Sequence, residues 1–171
     1  ALENNSSVKQ LAKASAGEGS NQAVAALFQT DIATFLADKS LTHEVFGPAS
    51  IIVTYKSDTD LLKAISSLGG QLTASVFGSE AELAGQQDLA RLMEDRAGRL
   101  VFNGFPTGVE VCASMVHGGP FPATSDGRST SVGTMAIYRF TRAVCWQDCP
   151  EALLPAELQD GNPLGIQRSE V

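Results

Sequence analysis

Between Asn103 and Asp126 the chain carries an acid, a thiol and an imidazole in close succession: Glu110, Cys112 and His117. Cys112 and His117 are near enough in sequence for a thiolate–imidazolium pair, the arrangement that makes cysteine a nucleophile. Proximity within a loop does not fix hydrogen-bond geometry, and a cysteine between Val111 and Ala113 reads first as a small buried hydrophobe. Glu110 is a general base if buried and a solvated loop acid if not, and the second reading is favoured. His43 and Glu44 stand before the Gly47-Pro48 stop, where a ribose or metal contact competes with a plain surface loop. Cys145 and Cys149 form half of a metal-ligand set, with only the distant His43 and His117 to complete it, so no metal centre is expected. Asn103, at a strand end, is expected to hydrogen-bond loop backbone. Trp146 and the phenylalanines are expected in the core.

The elements that must position these groups follow from periodicity and punctuation. Val8, Leu11, Ala12 and Ser15 recur at helical spacing, which predicts an amphipathic helix within Asn4 to Ala16. Gly17 to Asn21 reads as a turn. The apolar run from Ala23 to Gln29 reads as a strand. Asp31 is placed to cap a helical turn through Leu36, with Ile32, Phe35 and Leu36 turned inward. Ala49 to Tyr55 reads as a strand buried on both faces. A helix follows from the Ser57–Asp60 cap region with Leu61, Leu62, Ile65 and Leu68 as its buried stripe, stopped by Gly69-Gly70. Gln71 to Phe77 is a second strand. Ser79 and Glu82 form a capping box for one helix reaching Ala97-Gly98, and Leu100 to Asn103 is a third strand. Ser129 to Phe140 has helical features, and Arg142 to Trp146 reads as a last strand.

This alternation predicts an α/β fold, an open and mainly parallel sheet with flanking helices. Ligands gather outside the carboxyl ends of such strands. The long loop from Gly104 to His117 is therefore the expected substrate-facing segment. Loops of that length with little structure of their own are commonly functional.

Composition bounds the function. A chain of 171 residues with 43% hydrophobic content and a mean hydropathy of +0.02 matches one soluble globular domain. A net charge of −7, with no cluster of lysine or arginine, argues against nucleic acid or an anionic membrane as partner. No apolar run approaches the ~20 residues of a membrane span. Three cysteines, an odd number, favour reduced thiols and a cytoplasmic location. The opening ALENNSSVKQ has neither a basic nor an apolar stretch, so no signal peptide is expected there. Its start without methionine fits a chain whose beginning was removed.

Glu44-Val45-Phe46-Gly47-Pro48 resembles the E-[IV]-F-G-P box of the aldehyde dehydrogenase superfamily, and later segments follow in that superfamily's order. Gln71 to Phe77 is similar to the strand after the box, Gly98 to Asn103 to its G-x-[VI]-x-[VIF]-N strand, and Gly118-Gly119 to the glycine pair of its substrate loop. Asn103 to Cys112 and Met115 to Asp126 resemble the long signature of one branch, the α-ketoglutaric semialdehyde and NADP-dependent fatty aldehyde dehydrogenases. Thr130 to Gly133 and Asp160 to Gly165 match that branch as well.

The resemblance implies that Glu44 hydrogen-bonds the nicotinamide ribose of NAD or NADP and that Phe46 contacts the nicotinamide. It places Gly104 to Val116 on the aldehyde tunnel, with Phe105, Pro106 and Val109 as substrate-binding residues and His117 where many relatives carry an aromatic. In that picture Cys112 is not the nucleophile. The superfamily's nucleophilic cysteine, general-base glutamate, oxyanion-hole asparagine and dinucleotide domain all precede the box, and none has a counterpart in residues 1–43. The resemblance thus implies a C-terminal fragment of an enzyme that oxidises an aldehyde, α-ketoglutaric semialdehyde by the closest match, through a cysteine thiohemiacetal and thioester. The fragment alone is expected to be inactive. Residues 1–140 would belong to the catalytic domain and 141–171 would supply a terminal oligomerisation strand and tail of a homo-oligomer. Two other classes compete: a non-catalytic module binding a small molecule or a subunit, and a cysteine hydrolase using Cys112 and His117. No arginine or lysine lies between Gly104 and Gly127, so a cation for a substrate's far carboxylate must come from elsewhere.

Overall fold

The computed structural model describes residues 2–15, 19 and 21–168. Two compact units divide the chain, Ala1–Arg139 and Phe140–Val171.

In the first unit, strand β1 (Lys9–Lys13) pairs antiparallel with β2 (Ala26–Asp31), and β2 pairs parallel with β3 (Ala49–Thr54). A second sheet joins β4 (Gln71–Val76) and β5 (Ala97–Phe102) in parallel, Gln71 opposite Ala97 and Val76 opposite Phe102. Between strands run α1 (Ile32–Ala37), α2 (Asp58–Ser67), α3 (Glu80–Ala84) and α4 (Gln87–Glu94). The class is the expected mixed α/β with parallel strands and flanking helices, but the strands are shared between two small sheets.

Local chemistry explains the helix starts. Asp31 caps α1 by accepting the Thr34 amide at 3.0 Å, and Ser57 caps α2 by accepting that of Asp60 at 3.3 Å. Ser79 and Glu82 close the predicted capping box: the Ser79 hydroxyl accepts the Glu82 amide, and the Glu82 carboxylate accepts the Ser79 amide at 2.8 Å. The Ser79 hydroxyl also donates to that carboxylate at 2.7 Å, and this bond, with the one from the Ser79 amide, holds the Glu82 carboxyl below its ordinary range.

Several expectations are corrected. The segment predicted as a helix over Asn4–Ala16 is one turn of 3-10 helix at Leu2–Asn4 followed by the edge strand β1. Its apolar stripe has only Val8 and Leu11 of any size, and every residue of β1 is exposed, so pairing with β2 outweighs helical packing. Strand β3 is not buried on both faces. Ile51 and Val53 face the core of Phe35, Leu41 and Ala64, while Ser50, Ile52 and Thr54 are exposed. The single helix after Ser79 is two, broken at Gly85-Gln86. Of the segment from Ser129 to Phe140 only Thr134–Arg139 coils, as a 3-10 helix. Arg142 to Trp146 forms no strand among the described residues, because a strand requires a partner backbone and none of them supplies it. Of the phenylalanines only Phe28 and Phe35 are buried, and Trp146 is half exposed. The predicted turn at Gly17–Asn21 falls mainly outside the described residues.

What positions the long loop is backbone packing at the amino ends of β4 and β5. A Cβ on Gly98 would overlap the Gly118 carbonyl, one on Gly119 the Gln71 carbonyl, and one on Gly70 the Pro120 carbonyl. The Gly70 amide donates to the Phe121 carbonyl at 3.2 Å. Glycine in or beside a strand permits this close approach. Gly98→Ala should therefore lower stability by about 1–3 kcal/mol, the usual cost of overpacking against atoms that cannot move aside. Gly85→Ala, where a Cβ meets nothing within 4 Å, should leave the urea midpoint unchanged or slightly raised.

Candidate functional site

Asn103 begins the site. It follows β5 with a positive φ of 52°, a left-handed conformation that asparagine tolerates better than most residues. Its side-chain amide clasps Gly78 after β4, accepting from the Gly78 amide and donating to the Gly78 carbonyl, both at 2.9 Å. This is the backbone-tying role expected of it. Beyond it, the Phe105 ring packs on Phe77 with centroids 5.1 Å apart, so Phe105 and Pro106 mark the carboxyl end of the sheet.

The loop then turns back. The Arg99 guanidinium donates to the Gly108 carbonyl at 2.7 Å, which draws the segment around Val109 alongside the middle of β5. Gly118 and Gly119 reach the amino ends at Gly98 and Gln71, so His117 arrives at the end of the sheet opposite Phe105. Its backbone is pinned there. Thr130 accepts the His117 amide at 2.9 Å, and Ser131 donates to the His117 carbonyl through its amide at 3.1 Å.

A groove of about 780 Å³ opens at the amino ends. Thr42, His43 and Glu44 form one wall and Gly69 to Thr73 the other, with Pro122 and Ala123 closing it. Its volume falls in the ~300–1,000 Å³ range of small-molecule sites. A smaller groove of about 400 Å³ lies at the carboxyl ends, bordered by Tyr55, Phe77 and Gly78. Gly104 to His117, expected outside the carboxyl ends, begins there at Phe105 but crosses to the amino ends, because the close-packing glycines lie at the amino ends.

Glu44 lines the large groove, and Phe46, 98% exposed, stands two residues beyond it. Phe105, Pro106, Val109 and His117 do not line that groove, and Phe105 and Val109 are exposed. Cys112 contacts the Ser114 hydroxyl at 3.5 Å, and no hydrogen bond joins it to His117 among the described residues. A thiolate–imidazolium pair is therefore not assembled. Glu44 presents an exposed carboxylate at the groove rim, where it can accept hydrogen bonds. Sequence reasoning missed the groove's far wall. Gly69-Gly70 was legible only as a helix stop, although a glycine pair at a strand start also signals close backbone approach.

No family model matches the chain. It is 50% identical over 169 residues to an alpha-ketoglutaric semialdehyde dehydrogenase of Acinetobacter baylyi, covering 98% of this chain and 32% of that protein. It is 47% identical over 161 residues to alpha-ketoglutaric semialdehyde dehydrogenase 2 of Azospirillum brasilense, covering 94% and 31%. The chain resembles part of an aldehyde dehydrogenase. It spans about a third of the length of these relatives. Within that aldehyde dehydrogenase-like segment, no helix of the described residues is long and apolar enough to cross a membrane.

Asn103→Ala should cost about 2 kcal/mol, from the lost clasp on Gly78 and the strained φ. Asn103→Gly, which relieves the φ but not the clasp, should cost less. Urea denaturation of both variants checks this, and equal losses would show that backbone strain contributes nothing.

Proposed function

We propose that this chain is part of a longer NAD- or NADP-dependent aldehyde dehydrogenase that oxidises α-ketoglutaric semialdehyde to its acid. The identity of 50% over nearly the whole chain to a relative of that name carries the reading. Glu44 holds the nicotinamide ribose through its carboxylate, and the exposed Phe46 ring offers a face to the nicotinamide. When bound, the dinucleotide accepts the hydride. Phe105, Pro106 and Val109 offer apolar surface to the aldehyde chain, and His117 stands beside the glycine pair that anchors the loop.

The nucleophilic cysteine lies outside these 171 residues. Cys112 has a serine hydroxyl as its neighbour rather than a base, which supports that assignment. The segment from Arg142 to Trp146 is read as the terminal strand of a homo-oligomer. Val144 and Trp146 are exposed there, as a strand awaiting another subunit's backbone would be. The three cysteines, all free, suit a cytoplasmic protein.

The test is reduction of NAD or NADP with α-ketoglutaric semialdehyde by this chain alone and by the intact longer polypeptide. Turnover is expected only in the longer protein. Turnover by the 171 residues alone would overturn the fragment reading, and silence in both would remove the substrate assignment.

A further inference from the structure

The segment assigned to the aldehyde chain is held by very little of its own. Residues 106–111 are all exposed, so packing within this unit fixes none of them. A side chain built at Gly108 would meet nothing within 4 Å. The Thr107 amide bonds only to the neighbouring Phe105 carbonyl, at 2.8 Å. The firm anchors lie at either side. Phe105 packs on Phe77, and the Cys112 carbonyl accepts the Thr134 amide at 3.3 Å. Between them, one hydrogen bond among the described residues joins the stretch to the sheet, from Arg99 Nη1 to the Gly108 carbonyl at 2.7 Å.

The loop has length to spare. Crossing the six residues of β5 takes roughly 17 Å of strand. Extended chain from Phe105 to His117 would reach roughly 40 Å. The excess is taken up in bends, and the bond at Gly108 decides where Val109 comes to rest.

Arg99 is suited to that task. It lies within β5 opposite Thr73 of β4, so its stem rises from paired backbone. The residue is half-buried, and its Nε is buried with no hydrogen-bond partner among the described residues. A buried donor left unpaired is a cost that a native fold retains only against some gain. The gain here is the Gly108 carbonyl, since a charged donor bonds a carbonyl more strongly than a neutral one.

We propose that Arg99 is a positioning residue for substrate: its bond to Gly108 seats Val109 and Pro106, and so sets how tightly the aldehyde chain is held. The inference rests on the reading above that these residues meet the aldehyde. Arg99 itself touches neither aldehyde nor dinucleotide.

The test uses the intact longer polypeptide and the variants Arg99→Met and Arg99→Lys. Methionine keeps an apolar stem and removes the unpaired Nε, so the fold should survive it. In Arg99→Met the KM for α-ketoglutaric semialdehyde should rise about 10-fold, the worth of one charged hydrogen bond. The kcat and the KM for the dinucleotide should hold, as for a loss of uniform substrate binding. Arg99→Lys, which keeps one charged donor, should recover part of the loss. An unchanged aldehyde KM in Arg99→Met would overturn the proposal. So would a fall in kcat with both KM values raised together, the mark of a general structural defect.

A second readout needs no turnover. Cleavage after Glu110 by a glutamate-specific protease should be about 10-fold faster in Arg99→Met than in the unaltered protein, because the freed loop opens more often. Equal cleavage rates would overturn the seating of the loop. An unaltered protein that leaves the semialdehyde untouched would reject the enzymatic reading, while the cleavage rates still decide whether Arg99 holds the loop.

Discussion

The close approach of two stretches of backbone holds this unit in order. Where Gly118 to Phe121 crosses the amino ends of β4 and β5, carbonyl groups occupy the space that side chains at Gly70, Gly98 and Gly119 would need. Nothing larger than hydrogen fits, so the contact is made of main chain, which repacks far less readily than side chains. From this one anchor the loop acquires both its ends. Asn103 releases it at the carboxyl side of the sheet, Arg99 gathers it along β5, and the glycines return it to the amino side.

That path decides what the chain can contribute chemically. It brings Pro122 and Ala123 to the groove that Glu44 borders, and it leaves Phe105 across the sheet against Phe77. It gives Cys112 the Ser114 hydroxyl as a neighbour, and among the described residues no hydrogen bond joins the thiol to His117. The result is a wall and a carboxylate rim. The wall also presents large exposed apolar side chains, Phe46, Phe105, Val111 and Phe121 among them, a surface suited to packing against further protein.

The sequence was informative wherever a local rule acts without help. Asp31 and Ser79 with Glu82 are caps whose partners lie three residues away, and both formed as read; of the cap oxygens offered by Ser57 to Asp60, that of Ser57 is used. Strand β4 announced itself by composition and bounding turns, and so did β5 over Leu100–Phe102, whereas Ala97-Gly98, where β5 begins, read as the end of a helix. Readings failed where the outcome depends on partners distant in sequence. Lys9–Lys13 became a strand because β2 lay beside it, and β3 kept an exposed face because only one side is covered. The separation of β3 from β4 could not be read from spacing, because β-α-β periodicity is the same whether two strands adjoin or a third lies between them. Phe46 was singled out through resemblance alone, and for Glu44 the residues themselves left a ribose or metal contact competing with a plain surface loop, since an acid in an exposed loop carries little signal of its own.

The central claim is that this chain shapes and binds while the reacting thiol lies elsewhere in the longer protein. Peptide mass spectrometry of the intact polypeptide, quenched during turnover of α-ketoglutaric semialdehyde, tests it most directly. The account predicts an acyl adduct on a cysteine outside these 171 residues, with Cys112, Cys145 and Cys149 unmodified. An adduct on Cys112 would contradict it.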